Sequence, residues 1–183
     1  MTLKTAIITG ATSGFGKATA EKFATQGYRL VLTGRRSERL TELTNQLRRE
    51  HQTETLCLTF DVRDREAVRK NLEILPEDWR AVDVLVNNAG LALGLTPLQE
   101  GDYRDWDQMI DTNVKGLLYV SEVIIPWMIK YKKGHIINVG SIAGTEVYPG
   151  GNIYCASKHA VNAISKAMRI DLVKQGIKKQ SSP

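Results

Sequence analysis

Residues Thr5-Ala6-Ile7-Ile8-Thr9-Gly10-Ala11-Thr12-Ser13-Gly14-Phe15-Gly16 decide how the rest of the chain is read. The apolar run Thr5–Thr9 enters a glycine-rich turn. That turn opens a segment of helical spacing, with Gly16, Ala20, Phe23 and Ala24 at i, i+4, i+7 and i+8. A strand that delivers such a turn to a helix N-terminus makes an anion site. Backbone N–H groups converge on the ligand, the helix dipole favours its charge, and glycines let the backbone come close. The spacing is GxxxGxG, for which a plain tight turn is the alternative; the flanking strand and helix favour a dinucleotide pyrophosphate.

The same alternation continues outward. Strand-like runs recur at Arg29–Thr33, Thr55–Phe60, Val82–Asn87 and His135–Val139, with helical segments between them. In one of these, Leu40, Leu43 and Leu47 fall in register behind Ser37, which reads as its N-cap. Apolar strands separated by helices imply a parallel sheet covered on both faces, a doubly wound α/β fold in three layers. No repeat or linker interrupts it, so residues 1–183 are expected to form one domain.

Composition narrows the function. The chain is 42% hydrophobic and 25% charged, as ordinary globular proteins are. Its net charge of +5 is scattered, apart from short runs at Lys130–Lys133 and Lys174–Lys179. Without a basic stripe interleaved with aromatics, no nucleic-acid partner is expected, whereas a few lysines suit an anionic small molecule. Two cysteines, Cys57 and Cys155, make no disulfide framework and point to a reducing compartment. No run approaches the roughly 18 apolar residues of a membrane span, and no signal-peptide pattern opens the chain. A cytoplasmic protein is the expectation. His51, His135 and His159 show no ligand spacing, so no metal is expected.

The turn after the second strand reads Thr33-Gly34-Arg35-Arg36 and carries no acid. A carboxylate there would take the ribose 2′-OH of NAD, whereas an arginine fork holds the 2′-phosphate of NADP. Arg35 and Arg36 therefore point to NADP, unless they are solvated residues of a helix start. Asp61, in Phe60-Asp61-Val62, either meets the adenine ring or caps the next helix. The fourth strand ends in Asn87-Asn88-Ala89-Gly90, where small residues admit a cofactor and an Asn can bridge strands.

Polar residues inside apolar stripes carry the chemistry. Trp106, Ile110, Asn113, Leu117, Val120 and Ile124 share one face; Asn113, the polar member, is a structural bridge or part of a site. Pro126 predicts a kink further along. Later, Tyr154, Lys158, Val161, Ser165, Met168 and Leu172 share a face, with Tyr154 and Lys158 one turn apart. A lysine there needs a partner. Ribose hydroxyls would supply one, and its field would lower the phenol's pKa from about 10. Ser141 follows the fifth strand, at the end of the sheet where ligands gather. Cys155 points to another face and reads as a packed thiol. Ala156, Ala160, Ala163 and Ala167 line the opposite side. They suit close packing in a homodimer or homotetramer through this helix and the Asn113 helix, or they serve helix propensity alone.

Thr9–Gly16, Asn87-Asn88-Ala89-Gly90, Asn113, Ser141 and Tyr154-Cys155-Ala156-Ser157-Lys158 appear in the order found in the short-chain dehydrogenase/reductase family, which the chain resembles from residue 3 to about 177. Leu91-Ala92-Leu93-Gly94, Asp111-Thr112-Asn113, Ser141-Ile142-Ala143-Gly144 and Tyr148-Pro149-Gly150-Gly151-Asn152 are similar to the NADP-dependent serine/L-allo-threonine (3-hydroxy acid) dehydrogenases. The resemblance implies a Rossmann-type fold and hydride transfer between NADP(H) and a small hydroxy acid. It implies Tyr154 as general acid/base, Ser141 on the substrate oxygen, Lys158 on the ribose and lowering the tyrosine pKa, and Asn113 anchoring a water that links Lys158 to solvent. Gly10, Thr12, Ser13, Gly14, Phe15, Gly16, Arg35, Arg36, Asp61, Val62, Asn88, Ala89, Gly90, Tyr154 and Lys158 would bind the cofactor.

The family pattern continues past Pro183 with a sixth strand, a Pro-Gly turn, a substrate-covering segment and a seventh strand. Lys178-Lys179-Gln180-Ser181-Ser182-Pro183 resembles no strand. The expectation is a C-terminally shortened fold whose fifth strand is an exposed edge and whose substrate pocket lacks a wall. Two activities stay open: an active reductase/dehydrogenase, and a truncated cofactor-binding or dimerisation form. Steroids or sugars are the runner-up substrates.

Overall fold

Every residue of Thr5–Ile8 (β1) is buried, as a central strand of a sheet covered on both faces must be. In this computed structural model, which describes residues 3–175 and 177–182, β1 is flanked by β2 (Arg29–Gly34), and β2 by β3 (Thr55–Thr59). On its other side lie β4 (Val82–Asn87), β5 (His135–Val139) and β6 (Lys178–Ser182). The sheet is parallel throughout, in the order β3-β2-β1-β4-β5-β6. Five strands fall within a residue of their expected bounds.

The sixth strand corrects the sequence reading. Polar residues hid it, yet its backbone pairs with β5 from His135↔Lys178 to Val139↔Ser182. Strand addition at a sheet edge is a backbone transaction: β5 would otherwise present unpaired N–H and C=O groups, and the returning chain satisfies them. The fifth strand is therefore not the exposed edge.

Side chains alternate across the sheet. On one face Ala6, Ile8, Leu30 and Leu32 pack against Ala20 and Ala24 of α1 (Gly14–Thr25) and Leu40, Leu43 and Leu47 of α2 (Ser37–His51). On the other, Ile7, Val31, Leu85 and Ile136 meet Val68 and Leu72 of α3 (Arg65–Glu73). The helix α4 (Tyr103–Ile110) runs through a π turn (Asp111–Gly116) into α5 (Leu117–Tyr131), whose Val120, Ile124 and Met128 join this second core. Leu172 of α6 (Asn152–Leu172) joins it too.

Local expectations were corrected at three helix boundaries. Ser37 is the first helical residue rather than the cap; extended Arg36 holds that position and makes no side-chain cap bond. Asp64 caps α3 by accepting from the Ala67 N–H at 3.0 Å, which releases Asp61 from that duty. The π turn is the third: it holds Thr112 and Asn113, both buried, while Pro126 lies inside α5. One extra residue per turn barely disturbs a stripe with steps of three and four, so periodicity did not disclose it.

A buried polar chain ties the layers together. Asn87 Nδ2 on β4 donates to Asn138 Oδ1 on β5 at 2.9 Å and to Ser121 Oγ on α5 at 3.1 Å. Asn138 Nδ2 donates in turn to Ser165 Oγ on α6 at 2.9 Å. Asn138→Ala strips partners from groups on both neighbouring elements, and should lower stability by about 2–4 kcal/mol in urea unfolding. A change below about 0.5 kcal/mol would mean the chain contributes nothing.

Candidate active site

The winding reverses between β1 and β4, and there the two strand ends are stapled. Thr9 Oγ1 accepts from the N–H groups of Asn88 and Ala89, both at 3.0 Å. Asn88 Nδ2 donates to the carbonyls of Thr9 and Gly10 at 2.9 and 3.1 Å. Gly10 takes φ +65°, a conformation that L side chains rarely adopt. A Cβ on Gly16 would collide with the Gly10 carbonyl and the Asn88 amide, so only glycine lets α1 start this close to the sheet. Ser13, at the N-cap of α1, makes no side-chain cap bond, and the first turn holds no acid. The donors of that turn are thus left without a side-chain cap where Ser13, Gly14 and Phe15 border the adjoining cleft.

The cleft encloses about 890 Å³. Gly10, Thr12, Ser13, Gly14, Phe15, Asn88, Ala89 and Gly90 line its middle, and Phe15 is 81% exposed. At one end stand Arg35, Arg36, Asp61 and Val62. Arg36 Nη2 donates to Thr12 Oγ1 at 2.8 Å and Ser13 Oγ at 3.2 Å, spanning from the end of β2 to the glycine turn. Asp61 is gripped by Arg63, which donates through Nε, Nη2 and its backbone N–H. Arg35 Nη1 lies 3.7 Å from the same carboxylate. Burial alone would raise the Asp61 pKa; the Arg63 hydrogen bonds, with the charges of Arg63 and Arg35, outweigh it and hold the carboxyl below its ordinary value.

Ser141, Tyr154 and Lys158 line the opposite end. Ser141 follows β5 and caps a 3₁₀ turn, its Oγ accepting from the Ala143 N–H at 3.2 Å. That bond uses an oxygen lone pair and leaves the hydroxyl proton to be donated. Lys158 is buried, with Nζ donating to the Val139 carbonyl at 3.0 Å and lying 6.0 Å from the Tyr154 ring centroid. Among the described residues no carboxylate pairs with it, and burial pushes its pKa below 10.5.

Gly16 and Asn113 do not line the cleft but stand behind it. Asn113 Oδ1 accepts from the Leu91 N–H at 2.8 Å, and its Nδ2 donates to the Leu91 carbonyl at 2.9 Å and Ser157 Oγ at 3.0 Å. It bridges the loop after β4 to α6. A Cβ on Gly90 would lie 3.3 Å from Asn113 Oδ1 and 3.7 Å from Lys158 Nζ, so these two groups flank one glycine. Cys155 is buried, as a packed thiol should be. Sequence reasoning missed Thr112, Leu91 and Ile142 on the wall, and Arg63 beside Asp61. Residues 61–64 form a turn in which the Asp64 N–H bonds the Asp61 carbonyl and the Arg63 N–H bonds the Asp61 side chain, and this local turn, rather than strand alternation, brings Arg63 back to Asp61.

Residues 4–181 match the family model described as short chain dehydrogenase. The chain belongs to the short-chain dehydrogenase/reductase family. It is 46% identical over 167 residues to the NADP-dependent 3-hydroxy acid dehydrogenase YdfG of Escherichia coli (strain K12), covering 91% of this chain and 65% of that one. It is 49% identical over 173 residues to sulfoacetaldehyde reductase 2 of Chromohalobacter salexigens, covering 94% and 68%. Among solved structures, the closed form of serine dehydrogenase complexed with NADP⁺ superimposes with a TM-score of 0.89 at 42% identity, over 97% of this chain and 71% of that one. The chain spans about two thirds of the length of the curated relatives it matches.

The buried ammonium of this family member sets a pH dependence. The folded pKa of Lys158 lies below the unfolded value, so between them the unfolded chain binds more protons and stability rises with pH. Below that window the full penalty is in force. Lys158→Met should therefore raise the melting temperature at pH 7, and the difference from wild type should shrink as pH approaches 10.5. Thermal melts of both proteins across this range check it; a pH-independent difference would show that the charge carries no burial penalty.

Proposed function

We propose that the chain is an NADP(H)-dependent oxidoreductase acting at the hydroxyl or carbonyl carbon of a small 3-hydroxy acid such as serine or L-allo-threonine. The observation that carries this reading is continuity: Ser141, Tyr154 and Lys158 line the same cleft as the glycine turn and Arg35–Arg36. The residues suit a phosphorylated dinucleotide. Uncapped α1 donors would meet a pyrophosphate, Gly10 and Gly16 let the turn and the start of α1 sit tight against the β4 end, where a side chain would collide, and two arginine forks without a neighbouring acid in their own turn suit a 2′-phosphate. Once bound, the dinucleotide supplies the hydride exchange.

The protein's share is proton transfer and positioning. Tyr154 exchanges a proton with the substrate oxygen, and the Ser141 hydroxyl, whose one O–H is not used by its bond to Ala143, donates a hydrogen bond to that same oxygen. Lys158 offers the ribose the donors that the Val139 carbonyl leaves unused, and sets a positive charge beside the phenol. Asn113 keeps one Oδ1 lone pair beyond the Leu91 N–H, enough to hold a water toward Lys158. Acid/base assistance of this kind contributes about 10²–10⁴-fold.

Two relatives of nearly equal identity carry different substrate names, a 3-hydroxy acid and sulfoacetaldehyde. Both are small anions bearing a hydroxyl or carbonyl, so the substrate class is better supported than either compound. A small carbonyl compound such as sulfoacetaldehyde is therefore the second reading.

The proposal extends to assembly. Ala156, Ala163 and Ala167 are exposed along α6, with Ala160 half-buried between them, and small side chains allow a second helix to approach closely. A homodimer or homotetramer through α6 and α5 would cover them. Light scattering at micromolar concentration should give at least twice the 20.4 kDa chain mass; a monomer would remove this part of the proposal.

Turnover tests the chemistry. The chain should reduce NADP⁺ with serine or L-allo-threonine, or oxidise NADPH with sulfoacetaldehyde. Tyr154→Phe should abolish this while NADPH still raises the melting temperature, as linkage requires of a bound ligand. Near-full activity in that variant would reject the role of Tyr154.

A further inference from the structure

An arginine at the end of β2 is of use to a phosphate only if nothing else claims it. Arg35 has a competitor: Asp61, whose Oδ2 lies 3.7 Å from Arg35 Nη1 on the same wall of the cleft. A carboxylate there would do two kinds of harm. It would draw the guanidinium into an ion pair, and it would repel a phosphate dianion. The structure holds a countermeasure in a residue that does not line the cleft. Arg63 approaches Asp61 with its planar fork, Nε at 3.1 and 3.0 Å from Oδ1 and Oδ2 and Nη2 at 2.7 Å from Oδ2, and its backbone N–H takes Oδ1 at 3.0 Å. Both carboxylate oxygens are thus hydrogen-bonded by Arg63, and Arg35 is left at ion-pair range without a hydrogen bond. The two partners are largely covered, with 34% and 27% of their side chains exposed, whereas Arg35 stays 58% exposed.

We propose that Arg63 is a positioning residue for cofactor selectivity: by occupying and neutralising Asp61 it frees Arg35 for the 2′-phosphate of NADP(H). The inference rests on the functional reading above, and it adds a residue that touches neither ligand nor cleft. The mechanism is charge partition among three side chains. Arg63 matches the carboxylate geometry in two-armed fashion, wins Asp61, and leaves the weaker Arg35 contact to be exchanged for phosphate. Lysine at position 63 would keep the charge but lose the fork.

The test is calorimetric titration of the 183-residue chain with two probes, 2′,5′-ADP and 5′-AMP, which differ by the 2′-phosphate. Wild type should prefer 2′,5′-ADP. Arg63→Ala should cut that preference about tenfold, equivalent to about 1.4 kcal/mol, leaving 5′-AMP affinity within twofold. Arg63→Lys should fall between the two. The deciding variant is the double substitution Asp61→Asn with Arg63→Ala: with no carboxylate left to neutralise, the preference should return to within twofold of wild type. An unchanged preference in Arg63→Ala would overturn the inference. So would a double variant as weak as Arg63→Ala, which would mean that Arg63 meets the phosphate itself, or a loss shared equally by both probes, which would mean a structural role. A wild-type chain without preference for 2′,5′-ADP would instead remove the NADP reading, and this inference with it.

Discussion

Two strands that start side by side and are followed by helices on opposite faces leave a gap at their carboxyl ends, and something must hold that gap to a fixed width. Here Thr9 and Asn88 do so. The Thr9 hydroxyl takes two backbone N–H groups from the β4 end, and the Asn88 amide returns two bonds to the carbonyls of Thr9 and Gly10. Without that staple the glycine turn would have no fixed relation to the loop after β4, and the cleft would lose its floor. The requirement explains why polar side chains sit where the sheet is otherwise apolar. At a strand end the ladder stops, so the last backbone groups need partners that a side chain must supply.

The same logic extends outward through asparagine. Asn87 and Asn138 join β4 to β5 and reach serines on α5 and α6, while Asn113 joins the loop after β4 to α6. Each amide offers two donors and an acceptor in one plane, which suits a bridge between elements that cannot pair by backbone alone. These bridges converge on α6, the helix that carries Tyr154 and Lys158. Lys158 is consequently presented by a helix anchored at Ser157 and Ser165, on either side of it along the chain. That anchoring lets a charge sit where burial disfavours it, with one carbonyl as its partner.

What could be read from the sequence follows from which interactions leave a local mark. The five apolar strands, the glycine turn and the Tyr154–Lys158 pair were legible because the apolar runs that β1, β2 and β4 bury on both faces, the apolar residues of β3 and β5, and one-turn spacing are written in neighbouring residues. β6 was not, since its pairing with β5 draws on backbone groups common to every residue. The π turn at Asp111–Gly116 left the stripe nearly intact, and Asp64 rather than Asp61 became the cap because only it lies three residues before the N–H to be satisfied. The dual reading of Asp61 had to wait for Arg63, whose direction depends on how the chain leaves β3.

The two ends of the cleft differ in how tightly the fold constrains them. Around the glycine turn, side chains are stapled, bridged or too crowded to enlarge, so a change there disturbs the sheet itself. The rim beyond Ser141 and Tyr154 is otherwise: Leu95, Ile142 and Val147 are 74%, 69% and 78% exposed and belong to neither core. Substitution at such positions costs the fold little, typically within about 0.5 kcal/mol. A framework of this kind can keep the glycine turn fixed while the exposed positions beyond Ser141 vary. The constraint is therefore uneven along the molecule: the glycine turn is held by bonds and contacts that the fold itself needs, and the exposed positions beyond Ser141 are not.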